Sequence, residues 1–130
     1  IPFAVGYAVG GTLSAGVAGL VWGGLVRIFA FQHATFAVNS ICHMFGRRQF
    51  RSRDESRNNA LIALLVLGEG WHNNHHAFPS SARHGLGRWQ VDVSWLLIRG
   101  LERLGLMWNV RRPSATQLER RRLEAQLARS

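Results

Sequence analysis

Gly68-Glu69-Gly70-Trp71-His72-Asn73-Asn74-His75-His76 places three of the chain's six histidines within five residues. The spacing is i, i+3 and i+4, which on an α-helix turns all three imidazoles to one face. Helix propensity gives no reason to gather weak helix formers there. Neutral imidazole suits iron, zinc, copper or nickel, so the cluster reads first as a metal site. Three ligands leave the shell of a redox metal incomplete, and further ligands must come from elsewhere. A zinc hydrolase of the zincin pattern needs a catalytic Glu between its histidines. Here those positions are Asn73 and Asn74, and an amide cannot act as a general base.

Working outward, the charge is unevenly spread. The net charge of +9 is carried by arginine alone, without a lysine in the sequence. Arg27 is the single charged residue in 1–46, while the other arginines and all seven acids lie in 47–130. An apolar half followed by a basic half suggests membrane helices with a cytoplasmic remainder, by the positive-inside rule. A nucleic-acid role would need basic residues interleaved with exposed aromatics on a soluble domain, and the apolar half excludes it. Cys42 is the single cysteine, so no internal disulfide forms, as fits a reducing compartment. The N-terminal apolar run lacks the basic region and cleavage site of a signal peptide. The chain opens on Ile1 inside that run and reads as the C-terminal piece of a longer protein.

Ile1–Ala8 reads as the end of one apolar helix, with Gly10-Gly11-Thr12 as the turn. Leu13–Phe31 is a transmembrane candidate of about 20 residues. Within it Gly19 and Gly23 are spaced for close helix packing. Nothing breaks the pattern before Met44, so His43 would stand about 18 Å beyond Phe31, with Asn39 one turn earlier on the same face. Gly46–Arg57 is a polar connection, and a second helix is expected from Asp54 or Ser56 as N-cap. Ala60–Gly68 is too short to span a membrane and is expected to run on through Glu69–His76 until Pro79. Val93, Leu96, Leu97, Leu101, Leu104 and Trp108 form the apolar face of an amphipathic helix, with Asp92, Arg99, Glu102 and Arg103 opposite. Ser114 and Gln117 make a capping box before a short, solvated, charged helix over Leu118–Arg129.

Asn39-Ser40-Ile41-Cys42-His43-Met44-Phe45-Gly46, followed by Gly68–His76 and Ala77-Phe78-Pro79, closely resembles the membrane fatty acyl-CoA desaturases of the stearoyl-CoA Δ9 type. Bacterial members are nearest, through Ser80-Ser81-Ala82-Arg83-His84-Gly85. The resemblance runs over nearly the whole chain and weakens after Ser114. It implies an all-α integral membrane bundle with a cytoplasmic helical cap: membrane helices in 1–46, the cap in 47–113 and a charged tail in 114–130. It also implies a pair of non-haem iron ions. His72, His75 and His76 correspond to the third histidine box, His43 to an extra ligand, and Asn39 to a residue reaching a metal through water. The first two boxes, HxxxxH and HxxHH, have no counterpart in these 130 residues, so this portion alone is expected to be inactive.

The implied activity is O2-dependent insertion of a cis double bond into a long-chain acyl-CoA. Electrons would come from an external ferredoxin, cytochrome b5-like protein or flavin reductase. The active site and tail would be cytoplasmic on a multi-pass membrane protein. A lipid hydroxylase on the same scaffold, or a non-catalytic membrane scaffold with a vestigial cluster, are the alternatives. Ligand histidines need their second ring nitrogen fixed. Glu69, at i−3 from His72, is the first candidate, with Asp54 and Asp92 behind it, and each is equally readable as a cap or surface charge. Phe36 and Trp71 could line an acyl tunnel or simply pack. Arg47, Arg48, Arg51 and Arg53 could attract coenzyme A phosphates, though the positive-inside rule accounts for them. His33 and His84 match no ligand position.

Overall fold

Pro2 opens the first helix, where its missing N–H costs nothing, and α1 spans Pro2–Gly10. Gly11 ends it in the left-handed region, φ 66°, with its N–H on the Tyr7 carbonyl. Thr12 caps the next helix by accepting from the Ala15 N–H at 3.2 Å. This computed structural model describes residues 1–127 and contains helices but no strand among them. The chain forms two compact units, Ile1–Phe36 and Ala37–Ser130.

In the first unit α2 (Leu13–Leu20) packs on α1 where Gly6 and Gly19 bring the two backbones together. A π-helical turn over Val21–Val26 follows and leads into α3, Arg27–Met44. Arg27 Nε donates to the Gly23 carbonyl at 3.0 Å, so its charged head stays against its own helix. Leu13–Met44 is a continuous 32-residue helix, long and apolar enough to cross a membrane. Helical backbone satisfies all its own polar groups, as a lipid environment requires.

The second unit departs from the expected helix boundaries at three places. The helix awaited from Asp54 or Ser56 begins instead at Ala60, as α4 (Ala60–Leu65), with Asn59 as the cap that accepts from Ile62 N–H at 3.1 Å. Asp54 is engaged locally, accepting from the Ser56 N–H at 2.9 Å. Ala60–His76 is also not one helix. Leu67 (φ 57°) and Gly68 (φ 119°) both take positive φ, and a fresh helix, α5, covers His72–Ala77. At Gly68 a side chain would collide with the Asp92 carboxylate. Glu69 therefore sits in a turn, and its i−3 relation to His72 is not a helical one.

The third departure is at α6, Val93–Arg103. Asp92 does not lie on its polar face but caps it, accepting from Trp95 N–H at 2.9 Å. Gly105 (φ 72°) closes the other end, with Leu106 N–H on Leu101 O and Gly105 N–H on Glu102 O, so the helix stops before Trp108. Its buried side chain is Trp95, while Leu96 and Leu97 stay exposed. Ser114 and Gln117 do form a reciprocal capping box, at 2.8 and 3.2 Å, ahead of α7, Ala115–Leu127. The tail is not wholly solvated. Leu118 packs on the cluster of Phe50, Ala77 and Leu86, and Ala125 is buried. The last residues of the tail, 128–130, lie outside the described residues.

Two small cores hold this unit. Val38 and Cys42 of α3 meet Ile62 of α4, and Phe50, Ala77 and Leu86 gather beneath α5. Between them Asn58 is bridged in antiparallel fashion to Arg47 on one side and Trp71 on the other. Cys42 O accepts from Arg57 N–H at 2.6 Å, and Gly70 O from Asn59 N–H at 2.8 Å. The exit of α3 and the entrance of α5 are thus fastened to the same stretch of chain.

Candidate metal centre

That fastening brings His43, near the end of α3, against the helix carrying the other three histidines. His43 Nε2 lies 3.1 Å from His72 Nε2, and His76 Nε2 lies 3.0 Å from the same atom. The candidate ligand atoms of these three residues all lie within 4.8 Å of one another. One His72 nitrogen cannot serve two other ring nitrogens as ordinary hydrogen-bond partners, since it carries either one proton or one lone pair. Three converging imidazole nitrogens are instead what a cation holds. Cis ligands at about 2.1 Å from a metal stand about 3 Å apart.

His75 lies beside the trio, its ring centroid 6.2 Å from that of His72 and 5.6 Å from that of His76. Its Nδ1 is buried with no hydrogen-bond partner. A nitrogen that has lost water and gained nothing is costly, and ligation is the remedy this donor set offers. Four clustered imidazoles and no carboxylate in the trio fit a borderline metal such as ferrous iron.

The electrostatics favour the form of these candidate ligands that a metal binds. Burial, then the neighbouring His76, His43 and His75, pull His72 down to about 4. His75 is lowered too, first by burial and then by His84 and His76, with Glu69 opposing. Both shifts favour the neutral imidazole, the form that binds a metal.

The second nitrogen of His76 is held by an acid. His76 Nδ1 is 2.5 Å from Asp54 Oδ2. Burial alone would raise the Asp54 pKa, yet hydrogen bonds from the Ser56 side chain and backbone and from Ser52, with the His76 charge, leave it well below the usual carboxylate range. The acid placed first in the sequence reading, Glu69, does not reach His72. Its carboxylate is half-exposed and faces His84 Nδ1 at 3.7 Å. Asp92 is engaged elsewhere, capping α6 and accepting from the His84 and Gly85 N–H groups at 2.7 and 2.9 Å.

Asn73 and Asn74, singled out in the sequence only as unable to be bases, are the framework of the site. Asn73 is fully buried. Its Oδ1 accepts from the Gln49 and Phe50 N–H groups at 2.8 and 2.7 Å, and its Nδ2 donates to Phe50 O at 3.1 Å. Asn74 closes a ring of four amides. Asn58 Nδ2 donates to Asn74 Oδ1 (2.7 Å), Asn74 Nδ2 to Gln90 Oε1 (2.8 Å), Gln90 Nε2 to Gln49 Oε1 (2.7 Å), and Asn58 Nδ2 again to Gln49 Oε1 (3.4 Å). A six-residue helix has little stability of its own. These contacts, rather than helix propensity, fix α5. Their sequence signal was the pair of amides between the clustered histidines, with Gln49, Asn58 and Gln90 elsewhere in the basic part of the chain.

The remaining candidates are dispersed. Asn39 is exposed, one turn before His43 on α3. Trp71 is buried and donates its indole N–H to Val91 O at 2.7 Å. It also lines a cavity of about 630 Å³ with Arg47, Arg48, Asn58 and Gln90. Phe36 is exposed and belongs to the first unit. His33, also of that unit, turns its Nδ1 to the Phe29 carbonyl at 2.9 Å. Arg48 is bound within its own loop, to Glu55 and to the Ser52 and Asp54 carbonyls.

Known proteins are similar to this sequence. It is 55% identical over 100 residues to a probable chloroplastic lipid desaturase of Arabidopsis thaliana, covering 77% of this chain and 28% of that protein. It is 45% identical over 123 residues to a hex-5-enoyl-[acyl-carrier protein] acetylenase of Moorena producens, covering 95% and 38%. It is 49% identical over 109 residues to an icosanoyl-CoA 5-desaturase of Limnanthes douglasii, covering 84% and 30%. The chain thus spans about a third of the length of these relatives. The sequence pattern of the fatty acid desaturases matches residues 1–111, and with the histidine cluster assembled as described, the chain belongs to the fatty acid desaturase family.

Proposed function

We propose that the full-length protein is an acyl desaturase that inserts a cis double bond, at Δ9, into a long-chain acyl-CoA. The observation that carries this reading is the convergence of His43, His72 and His76, with His75 beside them, in a chain of this family. An unactivated methylene is beyond any side-chain acid or base, so the chemistry has to be supplied by a metal and O2. Two non-haem iron ions would provide it, held by His43, His72, His75, His76 and, through water, Asn39, together with ligands from upstream sequence. One O2, two electrons and two protons are consumed, two hydrogens leave adjacent carbons, and two waters form. The electrons come from an external ferredoxin, cytochrome b5-like protein or flavin reductase.

This chain's own residues have distinct tasks in that scheme. His72 and His75 offer neutral imidazoles at physiological pH. Asp54 orients His76, and the amide ring ties α5 to Gln49, Asn58 and Gln90. Trp71, and in the assembled protein Phe36, would border the acyl chain. Residues 1–46 would belong to a multi-pass membrane bundle, with 47–113 as a cytoplasmic cap and 114–130 as its tail. This portion alone would be inactive. The carrier is the finer point, because relatives are named for CoA, acyl-carrier-protein and lipid substrates.

Purified full-length protein, supplied with reductant, O2 and a saturated acyl-CoA, tests the reading by product mass spectrometry. Cis-monounsaturated product is expected, with His75→Ala losing product and iron together. A hydroxylated product would move the protein to the hydroxylases. Full activity in His75→Ala would end the metal assignment.

A further inference from the structure

His84 matches no ligand position in the sequence, yet the fold carries it to the histidine cluster. Its ring centroid lies 4.7 Å from that of His75, closer than His75 comes to either His72 or His76. The ring is mostly buried, with 14% of the side chain accessible. Its backbone is clamped on both sides. The N–H donates to Asp92 Oδ2 at 2.7 Å, and the carbonyl accepts from Asn74 Nδ2 at 2.7 Å. Asn74 stands between His72 and His75 on α5, so the loop bearing His84 is tied directly to the ligand helix.

The ring has an acid on one side, as His76 does on the other flank, though at ion-pair rather than hydrogen-bond distance. His76 turns Nδ1 to Asp54 and leaves Nε2 to the trio. His84 turns Nδ1 to Glu69, at 3.7 Å, which leaves its Nε2 without an acid partner. Ligating histidines commonly direct their second ring nitrogen to a carboxylate, and Glu69 is the acid on that side of His84. Beside it, the Nδ1 of His75 is buried and unpartnered. Imidazole is a donor that ferrous iron accepts, and His75 and His84 place two of them side by side.

We propose that His84 is a further iron ligand on the His75 flank of the centre, oriented by Glu69. The inference rests on the iron-dependent reading above and extends it to a loop residue that the histidine boxes omit. Glu69 is a positioning residue, acting through His84 rather than touching the metal.

The test uses full-length protein in detergent, purified as wild type, His75→Ala, His84→Ala and Glu69→Gln. Iron per polypeptide is measured by mass spectrometry and the iron environments by Mössbauer spectroscopy. His84→Ala is expected to lose iron from one of two environments, weakening retention against a chelator by about tenfold or more. Imidazole added to the buffer should restore that iron, because a small ligand can fill the space left by the ring, and a merely structural role would not be rescued. Glu69→Gln should keep its iron count and shift the spectrum of the same environment. Unchanged iron and spectrum in His84→Ala, with iron lost from His75→Ala, would overturn this inference alone. Iron lost from His84→Ala without rescue by imidazole would also overturn it. Wild-type protein that holds no iron would overturn the underlying reading as well.

Discussion

Asp54 Oδ2 meets His76 Nδ1 at 2.5 Å, while the opposite nitrogen of the same ring faces His72 at 3.0 Å. The acid therefore sets both the tautomer and the direction of the imidazole before any ion arrives. Asp54→Asn can still hydrogen-bond His76 but cannot supply the negative charge. Metal affinity is expected to fall about 10–100-fold, read by chelator competition on the full-length protein. Affinity equal to wild type would remove Asp54 from the centre.

Asn73→Ala is expected to cost about 1–3 kcal/mol of stability for each buried donor it strands. The Gln49 and Phe50 N–H groups both lose their acceptor. Thermal unfolding of the purified protein reads this, and iron retention should fall with it, since Asn73 ties α5 to the backbone of Gln49 and Phe50 through three hydrogen bonds. A melting temperature within experimental error of wild type would show that the contacts are replaceable.

Gly68→Ala would force a side chain into a φ of 119° and against the Asp92 carboxylate. A backbone conformation of that kind costs a non-glycine residue about 1–3 kcal/mol. Displacing Asp92 would also release the caps on α6 and on the His84 loop. Lower expression and a lower melting temperature are expected, whereas Gly100→Ala, which meets open space, should be neutral or slightly stabilising.

Acid should weaken the metal-free protein in a defined window. His72 is lowered from 6.5 to about 4 in the folded chain. Between those values the unfolded chain binds the proton and the folded one does not, so stability is full above pH 6.5 and falls as pH drops toward 4. His75 shifts in the same direction. Urea unfolding of chelator-treated protein at pH 7.5, 6 and 5 checks this. A midpoint that rises on acidification would contradict the neutral assignment of both rings.

What could be read from the sequence was mostly local. The helix from Leu13 to Met44, the Ser114–Gln117 box and the grouping of His72, His75 and His76 depend on residues within a few turns of each other. The break at Leu67–Gly68 was hidden because it is imposed from a distance, by Asp92 packing where a side chain on residue 68 would stand. The same reach explains Asp54, which is 22 positions from His76. It also explains His84, which a loop rather than a helix brings back to His75. Helical spacing pointed to Glu69 as the partner of His72, and it failed because the spacing held no helix there. Leu96 and Leu97 followed the expected period, but the buried position on α6 went to Trp95, whose indole stacks under Arg112 at 5.2 Å.

The ring formed by Asn58, Asn74, Gln90 and Gln49 has one more implication. Carboxamides neither gain nor lose protons across the biological pH range, and hard amide oxygens compete poorly with imidazole for iron. A scaffold made of carboxylates or thiols would change its own charge with acidity, or capture the ions it was meant to surround. This one is inert toward both, so the seating of the histidines stays constant as the acidity and the ions around it change.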